Sequence, residues 1–336
     1  MTGTLARPIF VVGCPRSGTT LVQCILSASA AAFSLPETHF FSEVLPDLRV
    51  PVDARLTPRQ LGQALGRLAY SAEMTLPDSL VERLGQAARV GTLTPLQLFL
   101  AVIEQFRPAE DRAARLLRVV EKTPLHVLHL EQLGAIFPDA GFVNVVRGPL
   151  DVTASWLATP FARTRSMTFY AQTWSATIAA AELYAASHPG RVYTLVYERL
   201  VAEPEREVRA LCHFLGLRFE PRLLDGFGPE AARNVNKREE WKADIERGVI
   251  VNRAGTWRRR ITPGQAWLVA VATRSVARRY GYPGVPAVSA GAIVEAVAQE
   301  CCVRFREARL VTGRWGSVRH ALNGLRALRP WRETFA

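Results

Sequence analysis

No stretch of the 336 residues reaches the ~18 uninterrupted apolar positions that a membrane-spanning helix needs, and the N-terminus lacks the charged, apolar, small-residue order of a signal peptide. A cytoplasmic location is the resulting expectation. Cysteine is sparse and unpatterned: Cys14, Cys24, Cys212, Cys301 and Cys302 form no CxxC pair and no metal-ligand spacing, and their odd number argues against a disulfide framework. Reduced thiols, mostly packing residues, and no bound metal are expected. Internal repeats and low-complexity tracts are missing as well.

The sequence is rich in apolar residues and in basic charge. A hydrophobic share of 49% is enough for a sizeable core, and the length allows one large α/β domain or two smaller ones. One domain with a tail is expected, with residues 1–285 forming the domain, a helical acceptor-side insertion at about 50–115, and 286–336 a basic amphipathic helical tail. The 42 basic against 30 acidic residues give a net charge of +12, which favours anionic ligands or a negative surface without choosing among them. Half of that excess sits in residues 301–336, where eight arginines between Arg304 and Arg332 face only Glu307 and Glu333.

Residues Pro8 to Gly13 (PIFVVG) form a short β-branched run, followed by a loop with Pro15 and Gly18 and then helical spacing in Leu21, Ile25 and Leu26. Residues 57–116 read as helical, with Thr57-Pro58 and Thr94-Pro95 each placing a capping residue before a proline suited to a first helical position. Further strands are expected at Leu116 to Val120, Gly141 to Val146 and Arg191 to Tyr197, with helices from Leu125 to Phe137, from Leu150, and from Thr262-Pro263 to Tyr280. Strands separated by such helices predict a three-layer α/β fold of P-loop type with a central parallel sheet. In such sheets ligands sit beyond the carboxyl ends of the strands. The stretch 230–262 is polar and basic and reads as mobile.

The loop Gly13-Cys-Pro-Arg-Ser-Gly-Thr-Thr20 has the GxxxxG spacing of a phosphate loop between strand and helix, where backbone N–H groups and a helix N-terminus stabilise negative charge. It is not a Walker A loop, because Thr19 stands where that motif has its lysine. The cation is Arg16, inside the loop, and a guanidinium can bridge two oxyanions. At these residues the chain resembles the sulfotransferases that use 3′-phosphoadenosine-5′-phosphosulfate (PAPS). PRSGTT is similar to the 5′-phosphosulfate loop of tyrosylprotein sulfotransferases and many bacterial members. The resemblance implies that Pro15, Arg16, Ser17, Gly18, Thr19 and Thr20 hold the 5′-phosphosulfate, with PAPS as donor, 3′,5′-ADP (PAP) as product and no metal.

The same resemblance extends along residues 8–280. Arg147 at a strand end and Ser155 eight residues later look like the family's 3′-phosphate motif, although Arg147 capping carbonyls and Ser155 on a helix surface is the plainer alternative. Lys122, in Glu121-Lys122-Thr123-Pro124, matches a lysine that approaches the transferring sulfuryl group; otherwise it is a surface lysine ahead of a helix capped by Thr123. Tyr197 either contacts the nucleotide or is a core tyrosine. Arg253 and Trp257 fall in a Gly-x-Trp segment that closes over the nucleotide in many members, although the usual RKG before it is absent. For the base that accepts the acceptor's proton, Glu37 comes first and His39 second, because Glu37 lies 21 residues after Arg16, as the catalytic glutamate does in tyrosylprotein sulfotransferases. The alternative is that Glu37 neutralises a loop arginine.

The expected activity is transfer of a sulfuryl group to a hydroxyl, less readily an amine, of a small-molecule, glycan or lipid acceptor. A P-loop kinase would need the Walker lysine that is missing. A non-catalytic nucleotide- or nucleic-acid-binding protein would leave Lys122 and Glu37 unexplained and shows no aromatic-basic platform; nucleic acid is not an expected partner. Ile293, Val297, Cys301 and Phe305 share a helical stripe, suited either to an anionic inner-membrane surface presenting a lipid acceptor or to packing on the domain with arginines in solvent.

Overall fold

A computed structural model of the protein describes residues 7–45, 53–72, 74–111, 117–159, 166–225 and 250–313, with side chains up to 305. Of the basic stretch expected at 230–262, residues 230–249 lie outside the described residues, as do the side chains of the tail arginines beyond Arg304, while residues 256–259 form a 3-10 turn.

The chain divides into two compact units, one from residues 1–146 and 180–252, the other from 147–179 and 253–336. The first unit holds five parallel strands: β1 (Ile9–Gly13), β2 (Ala32–Ser34), β3 (Arg118–Lys122), β4 (Gly141–Val146) and β5 (Val192–Val196), in the order β2-β3-β1-β4-β5. The expected parallel α/β architecture is therefore present. Period-2 alternation gives the sheet two apolar faces. Ile9 and Val11 of β1 enter one cluster with Val22, Ile25 and Leu26 of α1 (Thr19–Ser27) and Val208 and Leu211 of α9 (Pro204–Leu215). Phe10 and Val12 enter the opposite cluster, with Leu61, Leu68, Leu80, Leu84, Phe99 and Val102 of α2 (Pro58–Ser71), α3 (Asp78–Arg89) and α4 (Pro95–Glu104).

Local chemistry sets many helix starts. Thr57 and Thr94 form reciprocal capping boxes with Gln60 and Gln97, each with proline in the first turn, and Thr262 does the same with Gln265. The expected helix at 125–137 instead divides into a 3-10 segment, Pro124–His129, and α5 (Leu130–Ile136). The third strand lies two residues later than its apolar run suggested, so that Lys122 is its last residue. Edge strand β2 is only three residues long and carries no periodicity a sequence could show.

The second unit contains α6 (Pro149–Leu157), the first part of α7 (Met167–Ser187), a 3-10 turn at Thr256–Arg259, and two long helices. Between these in chain order, the first unit supplies the short α8 (Tyr197–Ala202) and α10 (Arg222–Asp225) as well as α9. The long helices are α11 (Pro263–Arg279) and α12 (Ala290–Gly313). Ala154, Met167, Ala171, Ile261, Ala266 and Val269 make the core of this unit. Gly264 lets α12 approach α11: a Cβ there would lie 2.0 Å from the Ala292 carbonyl oxygen. Among the described residues no helix is long and apolar enough to cross a membrane.

Candidate active site

Strand order places the carboxyl ends of β2, β3 and β1 side by side, and the phosphate loop leaves β1 there. The loop is held in an unusual conformation. Gly13 has φ 137° and lies against β4, where a Cβ would come within 2.5 Å of the Val145 carbonyl oxygen. Gly18 has φ 97°, and a Cβ there would meet the Tyr197 ring at 2.6 Å. Tyr197 is buried under the loop and donates its hydroxyl to the Val251 carbonyl at 3.1 Å. Arg16 itself has φ 76°, a left-handed conformation that costs a non-glycine residue on the order of 1 kcal/mol.

That loop suits an anion. Helix α1 starts at Thr19 with no side-chain cap and no acidic residue in its first turn, which leaves its N-terminal amides to a ligand. Ser17 is fully buried, and its hydroxyl has no partner among the described residues. Pro15 completes the turn, in which the Ser17 amide donates to the Cys14 carbonyl at 3.2 Å. Asn144, on β4 in register with Val12, is also fully buried with no partner for its amide among the described residues. Buried unpartnered polar groups are rare enough to mark functional or strained positions. In the sequence Asn144 shows only as one polar residue inside the apolar run GFVNVV.

Glu37, Lys122 and Thr20 meet at the same end of the sheet. The Lys122 ammonium contacts the Glu37 carboxylate directly and lies 3.3 Å from the Thr20 hydroxyl. His39 Nε2 is 3.3 Å from the other Glu37 oxygen, and His39 Nδ1 is 3.5 Å from Glu43. Burial opposes ionisation of Glu37, but Lys122 and then His39 outweigh it and hold its carboxyl below the usual carboxylate range. The Glu37 side chain still exposes 32% of its surface, whereas Lys122 exposes 4%. A carboxylate both charged and reachable can accept a proton from an incoming group; a buried ammonium beside an anion loop can carry negative charge.

The second unit organises a separate set. Arg147 follows β4 directly in the chain, is 7% exposed, donates from Nη2 to the Arg253 carbonyl at 2.7 Å, and has its own carbonyl bonded by Trp174 Nε1 at 2.8 Å. Asp151, in the first turn of α6, accepts from the backbone amides of Gly255 and Trp257 at 2.7 and 3.0 Å and from the Thr256 hydroxyl at 3.2 Å. Arg253 and Trp257 thereby join Arg147 around one helix, and Ser155 is half-buried on that same helix. In the sequence Asp151 carries no distinct signal, because an acidic residue in a first helical turn is an ordinary partner for the helix dipole.

Residues 8–221 match the family described as "Sulfotransferase family". An uncharacterized protein of Aquifex aeolicus is 28% identical over 267 residues, 75% of this chain and 30% of that protein. A putative protein-tyrosine sulfotransferase of Caenorhabditis briggsae is 23% identical over 228 residues, 67% of this chain and 70% of that one. Nodulation protein NoeE of Sinorhizobium fredii is 27% identical over 239 residues, 63% of this chain and 50% of that protein. The chain thus spans under a third of the Aquifex relative and half of NoeE. Among solved structures, the sulfotransferase domain from the curacin biosynthetic pathway superposes with a TM-score of 0.58 at 21% identity, covering 84% of this chain and 100% of that one. At that identity the likeness is one of fold. The family match covers well over half of the chain, across all five strands and the anion loop: the protein belongs to the sulfotransferase family.

Proposed function

We propose that the protein transfers the sulfuryl group of PAPS to a hydroxyl of a small-molecule, glycan or lipid acceptor. The observation that carries this is the Glu37–Lys122–Thr20 contact at the strand end beside the Arg16 loop. When bound, the donor supplies the sulfuryl group and leaves as 3′,5′-ADP. In this reading Arg16, Ser17, Gly18, Thr19 and Thr20 hold its 5′ end, and Arg147 and Ser155 take the 3′-phosphate, with Arg253, Trp257 and Tyr197 in support, a reading supported by the resemblance of these residues to the family's motifs. Lys122 donates to negative oxygens. Glu37 accepts the acceptor's proton, and His39, hydrogen-bonded or ion-paired with it, tunes its charge. An anion on the loop competes for the Lys122 ammonium, and each loosening of the Lys122–Glu37 contact makes Glu37 a stronger base.

Thermal stabilisation by 3′,5′-ADP compared with ATP plus magnesium tests the donor: a site for a 3′-phosphate prefers the former, and equal or reversed preference rejects it. Glu37→Gln tests the base. It is expected to bind 3′,5′-ADP as the parent does and to lose turnover by roughly 10²–10⁴-fold; a rate within a few-fold of the parent removes Glu37 from that role.

Peripheral contact with an anionic inner-membrane surface belongs to the same proposal. Helix α12 leaves Val294, Val297 and Phe305 exposed, and arginines continue to Arg332. Cosedimentation with phosphatidylglycerol vesicles, against uncharged vesicles, is the check; no preference for the anionic ones discards the contact.

A further inference from the structure

The segment that carries Glu37 is pinned by a relay that starts at one buried carboxylate. Glu121, Thr123, Thr38 and His126 are all fully buried. Alternation along β3 sends Lys122 towards α1 and sends Glu121 and Thr123 to the other face. Glu121 Oε1 accepts from the hydroxyls of Thr38 at 2.8 Å and Thr123 at 2.6 Å, and its Oε2 is 3.0 Å from His126 Nδ1. Each of those three side chains then accepts from the backbone. Thr123 Oγ1 takes the amides of Thr38 and His39 at 3.2 and 3.3 Å, Thr38 Oγ1 takes that of Phe40 at 3.3 Å, and His126 Nε2 takes that of Phe41 at 3.2 Å.

Four consecutive amides, 38 to 41, therefore end on side chains whose own protons all point to Glu121. The direction of every bond is fixed. Because Phe41 donates to Nε2, the His126 proton sits on Nδ1 and faces the carboxylate. The relay also holds His39 at φ 49°, a left-handed turn that a non-glycine residue rarely adopts. Glu37 lies two residues before this turn, and Lys122 lies between Glu121 and Thr123, so one carboxylate governs the register of both.

We infer that Glu121 is a positioning residue: by fixing the hydrogen-bond direction of Thr38, Thr123 and His126 it sets the 38–41 backbone and so presents Glu37 to Lys122. A glutamine at 121 has the same shape but the wrong polarity. Its amide NH₂ must face either the two hydroxyls, which then cannot spend their protons on it, or His126, which then has to carry its proton on Nε2 against the Phe41 amide. Burial alone would push the Glu121 carboxyl up, but His126, Thr123 and Thr38 hold it below the usual carboxylate range, in keeping with an ionised acceptor.

Because this assignment takes Glu37 as the base, it rests on the function proposed above, and the full-length Glu121→Gln protein is read in ways that separate the two. Independent of activity, amides 38–41 are expected to exchange hydrogen faster than in the parent, and the ¹⁵N shifts of His126 tell the two orientations apart, leaving the Nδ1–H pattern where the glutamine NH₂ faces that ring and keeping it where the NH₂ faces the hydroxyls. Under PAPS turnover, kcat is expected to fall roughly 10–100-fold while 3′,5′-ADP affinity stays within a few-fold. The acidic limb of the kcat profile gives a sign. Glu37 faces Lys122, His39 and, at longer range, Glu121, whose negative charge raises its pKa. Removing a mere bystander charge lowers the limb, whereas loosening Glu37 from Lys122 raises it.

Unchanged exchange at 38–41, a parental kcat, or a lowered limb overturns the assignment. If Glu121→Gln does not fold, Thr38→Val against Thr38→Ser decides: serine keeps the hydroxyl and should exceed valine in kcat and in Phe40 protection, and equal values refute the relay. A parent protein inactive with PAPS defeats the proposed function while leaving the exchange experiment able to confirm or reject the relay.

Discussion

At Gly18 two constraints fall on one atom. The backbone φ of 97° suits glycine, and any Cβ would be driven into the Tyr197 ring at 2.6 Å. Gly18→Ala is expected to shift the loop away from Tyr197, lower 3′,5′-ADP affinity by about tenfold or more, and reduce stability by ~1–3 kcal/mol. Calorimetry and urea unfolding check the two effects. Affinity at the parental level would mean that the loop conformation is not what holds the anion. A glycine at this position was legible in sequence as part of GxxxxG; that Tyr197 is the group it makes room for was not, since 179 residues of chain separate them.

Among the elements, the Asp151 carboxylate ties α6 to the Gly255–Trp257 segment through three hydrogen bonds. Asp151→Ala leaves two amides and a hydroxyl without that acceptor, and a loss of roughly 1–3 kcal/mol in urea unfolding is expected. Trp257 should become more accessible to a fluorescence quencher. A parental quenching curve would show that the segment is held by other contacts. Helix α7 has a similar tie. The carboxylate of Glu300, 8% exposed on α12, accepts from the amides of Met167 and Thr168 at 3.0 Å each, and so caps α7 from 132 residues away in sequence. Glu300→Ala is expected to cost about 1 kcal/mol, as loss of a helix cap does. Hydrogen exchange concentrated at 167–169 would locate it; unaltered exchange there would dismiss the cap.

For the molecule as a whole, Glu37 and Glu121 give stability an acid dependence of definite sign. Both carboxyls are held below the usual range in the folded state, Glu37 against burial by Lys122 and His39, Glu121 against burial by His126 and two hydroxyls. A group whose folded pKa lies below its unfolded value contributes fully above the unfolded value, about 4.3 for glutamate, and loses that contribution as pH falls through the folded one. The melting temperature should therefore drop on acidification below about pH 5. The drop should be shallower in Glu121→Gln, which has one such carboxyl fewer. An equally steep drop in both proteins would place the acid sensitivity elsewhere.

The sequence by itself determined what depends on a few neighbouring residues. Apolar strand runs separated by helical spacing made the sheet parallel, GxxxxG placed a glycine-bounded loop between β1 and α1, and Thr-Pro pairs with glutamine three residues after each threonine started α2, α4 and α11. Those features follow from backbone sterics, periodicity and capping, which act over one or two turns. Only the tertiary structure decided the order β2-β3-β1-β4-β5, the existence of the short edge strand β2, the meeting of Glu37 with Lys122 85 residues apart, and the burial of Glu121 behind four backbone amides. Each of these depends on which segments exclude water together and on where a buried polar atom finds its partner, and neither is written in the spacing of residues along the chain.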